Sequence, residues 1–189
     1  MKKIFSIMFF CLIFVGAQAQ DQQDPMKVWM DYATPGQMHK MFEKMAGNWK
    51  TVMIMTDQAS GQEMKSEGTA VFEMILGGRY MKSIHKSTMM GMPFEGMGLD
   101  AYDNQTHEFI STWVDNMGTG VMVMKGKYDE PAKTFHYSGS MVDPMSGGET
   151  KVHSVLKVID DNNSVFEMST VMPDGNEYKM FTMTYQRAQ

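Results

Sequence analysis

Methionine and histidine are the side chains here whose number or placement could support chemistry. The chain holds 25 methionines in 189 residues, while Leu76, Leu99 and Leu156 are the only leucines beyond residue 20. A thioether is a soft ligand suited to copper(I), and it is also an unbranched filler that repacks easily. Met38, Met41 and Met45, spaced for one helical face with Phe42, read as filler, as do Met53, Met55, Met122 and Met124 within strand-like runs. Met89, Met90, Met92 and Met117 fall in or beside turns, with Met145 and Met172 similarly placed, and the first four form the copper(I) alternative.

The histidines His39, His85, His107, His136 and His153 show no HxH or HExxH spacing, so no zinc site is read from them. Alternation puts His85 on a face with Arg79, Met81 and Ser83, opposite Tyr80, Lys82, Ile84 and Lys86. Lysines keep to water, so His85 points inward, where it could ligate haem, bond a ligand carboxylate, or simply be hydrogen-bonded within the wall. His136 and His153 oppose apolar faces and read as solvent-facing. Asp103, Asp115, Asp129, Asp143, Asp160 and Asp174 sit in turns, where Asp bonds its own backbone. No nucleophile elbow, phosphate-binding Gly-Lys motif or dinucleotide fingerprint occurs, so no catalytic residue is named. An enzyme whose groups converge from distant strands stays open.

Lys2 and Lys3, an apolar run from Ile4 to Val15 and then Ala17-Gln18-Ala19 form a secretory signal over residues 1–19. The run is too short to span a bilayer. The expected location is therefore periplasmic or secreted, with a mature chain beginning at Gln20 and no stable membrane insertion. Cys11 lies in the signal and lacks the preceding small residues of a lipoprotein site. The mature part then has no cysteine, which excludes disulfides and thiolate chemistry. Without Lys2 and Lys3 there are 15 basic and 22 acidic side chains, a formal charge of −7. Nucleic acid and anionic lipid surfaces are poor partners for such a chain. Two glycosylation sequons, at Asn104 and Asn162, are set aside because the signal has a bacterial pattern.

After an acidic, Gln-rich lead over 20–34, Thr34-Pro35-Gly36-Gln37 predicts one short helix over 35–46, capped by Thr34. Ten strands follow, at 48–56, 62–74, 79–88, 94–102, 107–114, 120–128, 134–142, 149–159, 164–172 and 176–186. The phrase Tyr102-Asp103 to Phe109 recurs as Tyr128-Asp129 to Phe135 and Ile159-Asp160 to Phe166, which punctuates an antiparallel up-and-down meander. Closure would remove two exposed edges. A ten-stranded barrel is wider than side chains alone fill, so a pocket is expected; a two-sheet sandwich with a solid core is the alternative. Parity places the helix at one end and the methionine-bearing turns at the other.

Gly47-Asn48-Trp49 after the helix resembles the G-x-W signature of calycins, the lipocalin and fatty-acid-binding-protein superfamily. Four further stretches accompany it: Leu76-Gly77-Gly78-Arg79-Tyr80, Gly91-Met92-Pro93-Phe94-Glu95-Gly96, Ala101-Tyr102-Asp103-Asn104, and Ser111-Thr112-Trp113-Val114-Asp115-Asn116-Met117-Gly118. Together they resemble the bacterial family called domain of unknown function 1579, over residues 35–187. The resemblance implies a single calycin-like barrel and no established activity. It also implies an arginine packed over the first-strand tryptophan, a role parity gives to Arg187 over Trp49. The longer glycine-rich stretch of haem-binding nitrobindin-like barrels is missing here, which argues against haem by analogy.

The expectation is an exported all-β barrel, helix-capped at one end, that binds a small hydrophobic or amphipathic molecule. Phe72, Met74, Met81, His85, Phe109 and Trp113 are the expected wall of its site.

Overall fold

The computed structural model describes residues 24–57, 61–144, 146–172 and 175–189. The expected signal segment, Cys11, Met145 and Asp174 lie outside them. The strands are β1 (Gly47–Thr56), β2 (Glu63–Ile75), β3 (Tyr80–Met89), β4 (Met92–Asp103), β5 (Glu108–Asp115), β6 (Met122–Asp129), β7 (Thr134–Val142), β8 (Glu149–Asp160), β9 (Asn163–Val171) and β10 (Glu177–Arg187). Each end falls within two residues of its sequence expectation. All neighbours are antiparallel, and β1 pairs with both β2 and β10, closing a ten-stranded up-and-down barrel.

Alternation along β2 decides what faces where. Ser66, Gly68, Ala70, Phe72 and Met74 turn inward, while Glu63, Lys65, Glu67, Thr69, Val71 and Glu73 are exposed. A period of two is what a pleated strand requires when one face meets the interior and the other meets water.

The expected N-terminal helix is present, preceded by a second helix in the segment expected to be an irregular lead. The two are α1 (Pro25–Ala33) and α2 (Gln37–Met45). Asp24 caps α1 by accepting from the Met26 amide, and Pro25 occupies its first turn, which suits a residue without an N–H. Thr34 does not cap the second helix. Its hydroxyl donates to the Met30 carbonyl at the end of α1, and α2 starts from Gly36, whose amide donates to Nδ1 of His39 at 3.0 Å. The Asn104 side chain straps α1 to the β4–β5 turn, donating to the carbonyls of Tyr32 at 3.0 Å and Thr34 at 2.9 Å.

Helix α2 closes one end of the barrel. Its Phe42, 2 % exposed, packs edge-on against Phe109 at 5.6 Å. Met81, Met124, Phe135, Tyr137, Val152 and Met168 complete this core. The interior is therefore less hollow than strand number suggests, because the helix inserts a ring and the strands contribute large aromatics. Open space survives toward the other end.

Closure is locked where the first and last strands meet. Trp49 is directly opposite Arg187, whose guanidinium carbon lies 4.3 Å from the indole centroid. The guanidinium donates to the carbonyls of Lys44, Ala46 and Asp161 at 2.6, 2.8 and 2.9 Å. Trp49 donates to the Met45 carbonyl at 2.9 Å. Carbonyls left over at a helix end need such donors. Replacing Arg187 by alanine should lower stability by about 3 kcal/mol, the scale of losing charged hydrogen bonds and a cation–π contact. A thermal melt of the variant reads this directly, and an unchanged Tm would remove Arg187 from the closure.

Candidate functional site

The site is built from the inner faces of β1, β2, β3, β4, β5 and β10. On β3, Met81, Ser83 and His85 are all buried. The His85 ring meets Trp113 at 5.1 Å, Phe72 at 5.7 Å and Tyr185 at 5.9 Å, each nearly perpendicular. A small cavity of about 20 Å³ touches His85, lined also by Thr51, Met53, Ser66, Lys86, Ser87, Phe94 and Met183, and the Lys86 ammonium pairs with Glu95 on the outer surface. Room on this scale takes one water-sized group. It is far too small for a porphyrin, so the residues around His85 do not fit haem as they stand.

Among the described residues, Nδ1 of His85 is the one buried side-chain nitrogen or oxygen without a hydrogen-bond partner. Leaving such an atom unsatisfied costs about 1–3 kcal/mol. Burial also pushes the His85 pKa down to about 4, so the imidazole is neutral near pH 7.

Strand β4 supplies a second ionisable group. Asp100 is directly opposite Met81 on β3 and Ser111 on β5, which fixes its side chain on the interior face. Its carboxyl is hydrogen-bonded by the Ser111 side chain and pushed by burial up to about 6. Asp100 and Tyr185 lie deep in the protein yet both keep some accessible surface. That combination belongs to the wall of an internal space. Burial first, and then the charge of Asp100, raises the Tyr137 and Tyr185 hydroxyls above their ordinary value.

Two glycines make room for the tryptophan. A Cβ at Gly96 would collide with the Trp113 ring, and one at Gly98 would meet the Ser83 hydroxyl. With both absent, Trp113 lies against β4, its Nε1 donating to Asp115 at 2.8 Å.

All six expected wall residues face inward, but they divide between two places. Phe72, His85 and Trp113 come together around the unpartnered nitrogen. Met81 and Phe109 belong to the closed core under α2, and Met74 packs against that core, as does Phe72, which bridges the two places. Asp100, Ser111 and Tyr185 were not singled out from sequence.

The methionine rim also divides. Met53, Met55, Met64, Met89 and Met90 line one cavity of about 50 Å³ together with Lys65, Ser66 and Thr88. Met92 pairs with Met89 but does not line it, and Met117 stands on the separate β5–β6 turn. Met90, Met92 and Met117 are 70, 50 and 47 % exposed.

The model of the family described as "Protein of unknown function (DUF1579)" matches residues 34–187, which spans the barrel and α2. The chain belongs to this family. No curated protein matches. Among solved structures, the chain is similar to Rv2717c from M. tuberculosis, with a TM-score of 0.61 and 9 % identity over 82 % of this chain and all of that one. At that identity the likeness is one of fold. It is also similar to a redesigned β-barrel, b11L5F_LGL, with a TM-score of 0.41 and 19 % identity over 82 % of this chain and all of that one. A third is the redesigned barrel mFAP1 bound to DFHBI, with a TM-score of 0.39 and 18 % identity over 77 % of this chain and 97 % of that one.

The two buried groups impose opposite pH dependences on this family member. His85 takes its proton near 6.5 when unfolded and near 4 when folded, so across that window the unfolded chain binds more protons and stability rises with pH. Asp100 titrates near 3.8 unfolded and near 6 folded, so across that window the folded chain holds the extra proton and stability falls as pH rises. Asp100→Asn deletes only the second slope. The variant's stability relative to wild type should therefore climb by about 3 kcal/mol from pH 4 to 6 and then level off. Denaturant unfolding at stepped pH checks this, and a constant difference would show that Asp100 does not titrate in the window.

Proposed function

We propose that this protein is an exported binding protein that takes a small amphipathic molecule into the barrel between His85, Phe72 and Trp113. The observation that carries this reading is the unpartnered Nδ1 of His85 beside a cavity. A ligand that hydrogen-bonds Nδ1 would satisfy a group the protein leaves bare, while its apolar body meets aromatic and thioether walls. The space seen is small, so entry moves the flexible side chains of Met53 and Met183, which adapt at low cost.

Native mass spectrometry of the protein purified without denaturation tests the reading, with a retained organic molecule as the expected result. His85→Leu should weaken rebinding of that molecule by roughly ten- to a hundredfold, the scale of one buried hydrogen bond. Equal binding by the variant would place the ligand elsewhere.

A second reading rests on the five methionines around the rim cavity. Their thioethers could hold copper(I), an ion that soft sulfur ligands select. In competition against a chromogenic copper(I) chelator, wild type should draw metal from the chelator and a combined Met64, Met89 and Met90 to Leu variant should not. Absence of transfer to wild type would reject the metal reading.

A further inference from the structure

Among the described residues the inner faces of β4 and β5 carry two carboxylates: Asp115, taken up by Trp113 Nε1 and the Met117 amide, and Asp100, which has no positive charge to meet it. Strand lysines alternate outward, and Lys65, Lys82, Lys86, Lys125 and Lys179 each form an ion pair with a Glu on the outer surface. Both arginines are engaged at the helix-capped end, Arg79 with the Leu76 carbonyl and Arg187 with the carbonyls of Lys44, Ala46 and Asp161. His85 is neutral. Asp100 makes no ion pair among the described residues, and its one hydrogen bond there is to Ser111.

The cross-strand neighbours of Asp100 are Met81 and Ser111, and aromatic rings lie farther along the same inner face. On the inner face of β4 Asp100 follows Gly96 and Gly98, over which Trp113 lies. Tyr185 touches Phe72 and His85, and His85 touches Trp113, so a ring-lined wall continues along this lumen. A carboxylate on the same wall as aromatic rings is an arrangement that attracts an organic cation, since the ring quadrupole and the carboxylate both favour positive charge. An anionic guest would meet repulsion, and an uncharged one would leave the carboxylate uncompensated.

Resting on the lumen-binding reading above, we propose that the ligand is an amphipathic organic cation whose protonated amine pairs with Asp100 while its apolar body lies against Trp113, Phe72 and Tyr185. His85 then serves as the hydrogen-bonding contact farther along the same lumen.

Three probes with matched apolar bodies test the charge: 2-phenylethylammonium, 2-phenylethanol and 3-phenylpropionate, each titrated calorimetrically into the full mature protein. The ammonium should bind at least tenfold more tightly than the alcohol, and the carboxylate should bind weakest. Asp100→Asn should erase the preference of ammonium over alcohol while leaving alcohol affinity within about twofold. The wild-type ratio is read without any variant, so a folding defect in Asp100→Asn cannot hide the answer. Equal or tighter binding of the alcohol or the carboxylate by wild type leaves the lumen reading standing and overturns the cation assignment. So does a preference that survives in a folded Asp100→Asn. Binding of none of the three overturns both.

Discussion

The ladder between β1 and β10 is the contact on which everything else in this molecule depends. Lys50 pairs with Gln186 across 135 intervening residues, and Met53 with Met183, so the chain's first and last strands must meet before an inside exists. Until they do, two strand edges are open and no side chain is committed to the interior. Arg187 and Trp49 sit at this seam and also bind the carbonyls that end α2. The same few groups therefore close the barrel and seat its plug.

Once closed, the barrel sorts charge. Lysines and glutamates pair around the outside, where they are solvated and individually worth little. Inside, His85 is held neutral and Asp100 is held with no countercharge, two departures from what stability alone favours. Strain of this kind is tolerated where a site needs groups that water and neighbouring side chains have not already satisfied. The helix end shows the opposite economy, with Phe42, Phe109 and Phe135 packed solidly around one another.

How much of this is legible in the sequence differs strand by strand. In β2 the alternation of charged with small and apolar residues states both the strand and its faces. In β4 the pattern points the wrong way: Met97 and Leu99 are 44 and 36 % exposed, while the interior face carries Gly96, Gly98 and Asp100. Hydrophobicity alone therefore turns that strand inside out, and Asp100 goes unnoticed. The two glycines are the residual clue, since small residues on one face announce a bulky neighbour, here Trp113. Helix α1 carries a start signal in Asp24-Pro25, but an acid- and Gln-rich context masks it. Its anchor, Asn104, is some seventy residues away, beyond any local pattern. His85 was readable because lysines alternate with it and fix its direction.

The methionines differ sharply in exposure, buried where they pack inside the barrel and open at the rim and on α1. Met81 and Met124 are 2 and 4 % exposed near the closed end, whereas Met90, Met92 and Met117 at the open rim are about half exposed or more. Oxidants arriving from solvent meet the rim sulfurs, and those of Met26 and Met30 on α1, which are 66 and 54 % exposed, before the buried ones, and convert soft apolar thioethers into polar sulfoxides. The doorway would thus be chemically altered while the buried core sulfurs stay reduced, and a reductase acting on the rim could restore it without unfolding the protein.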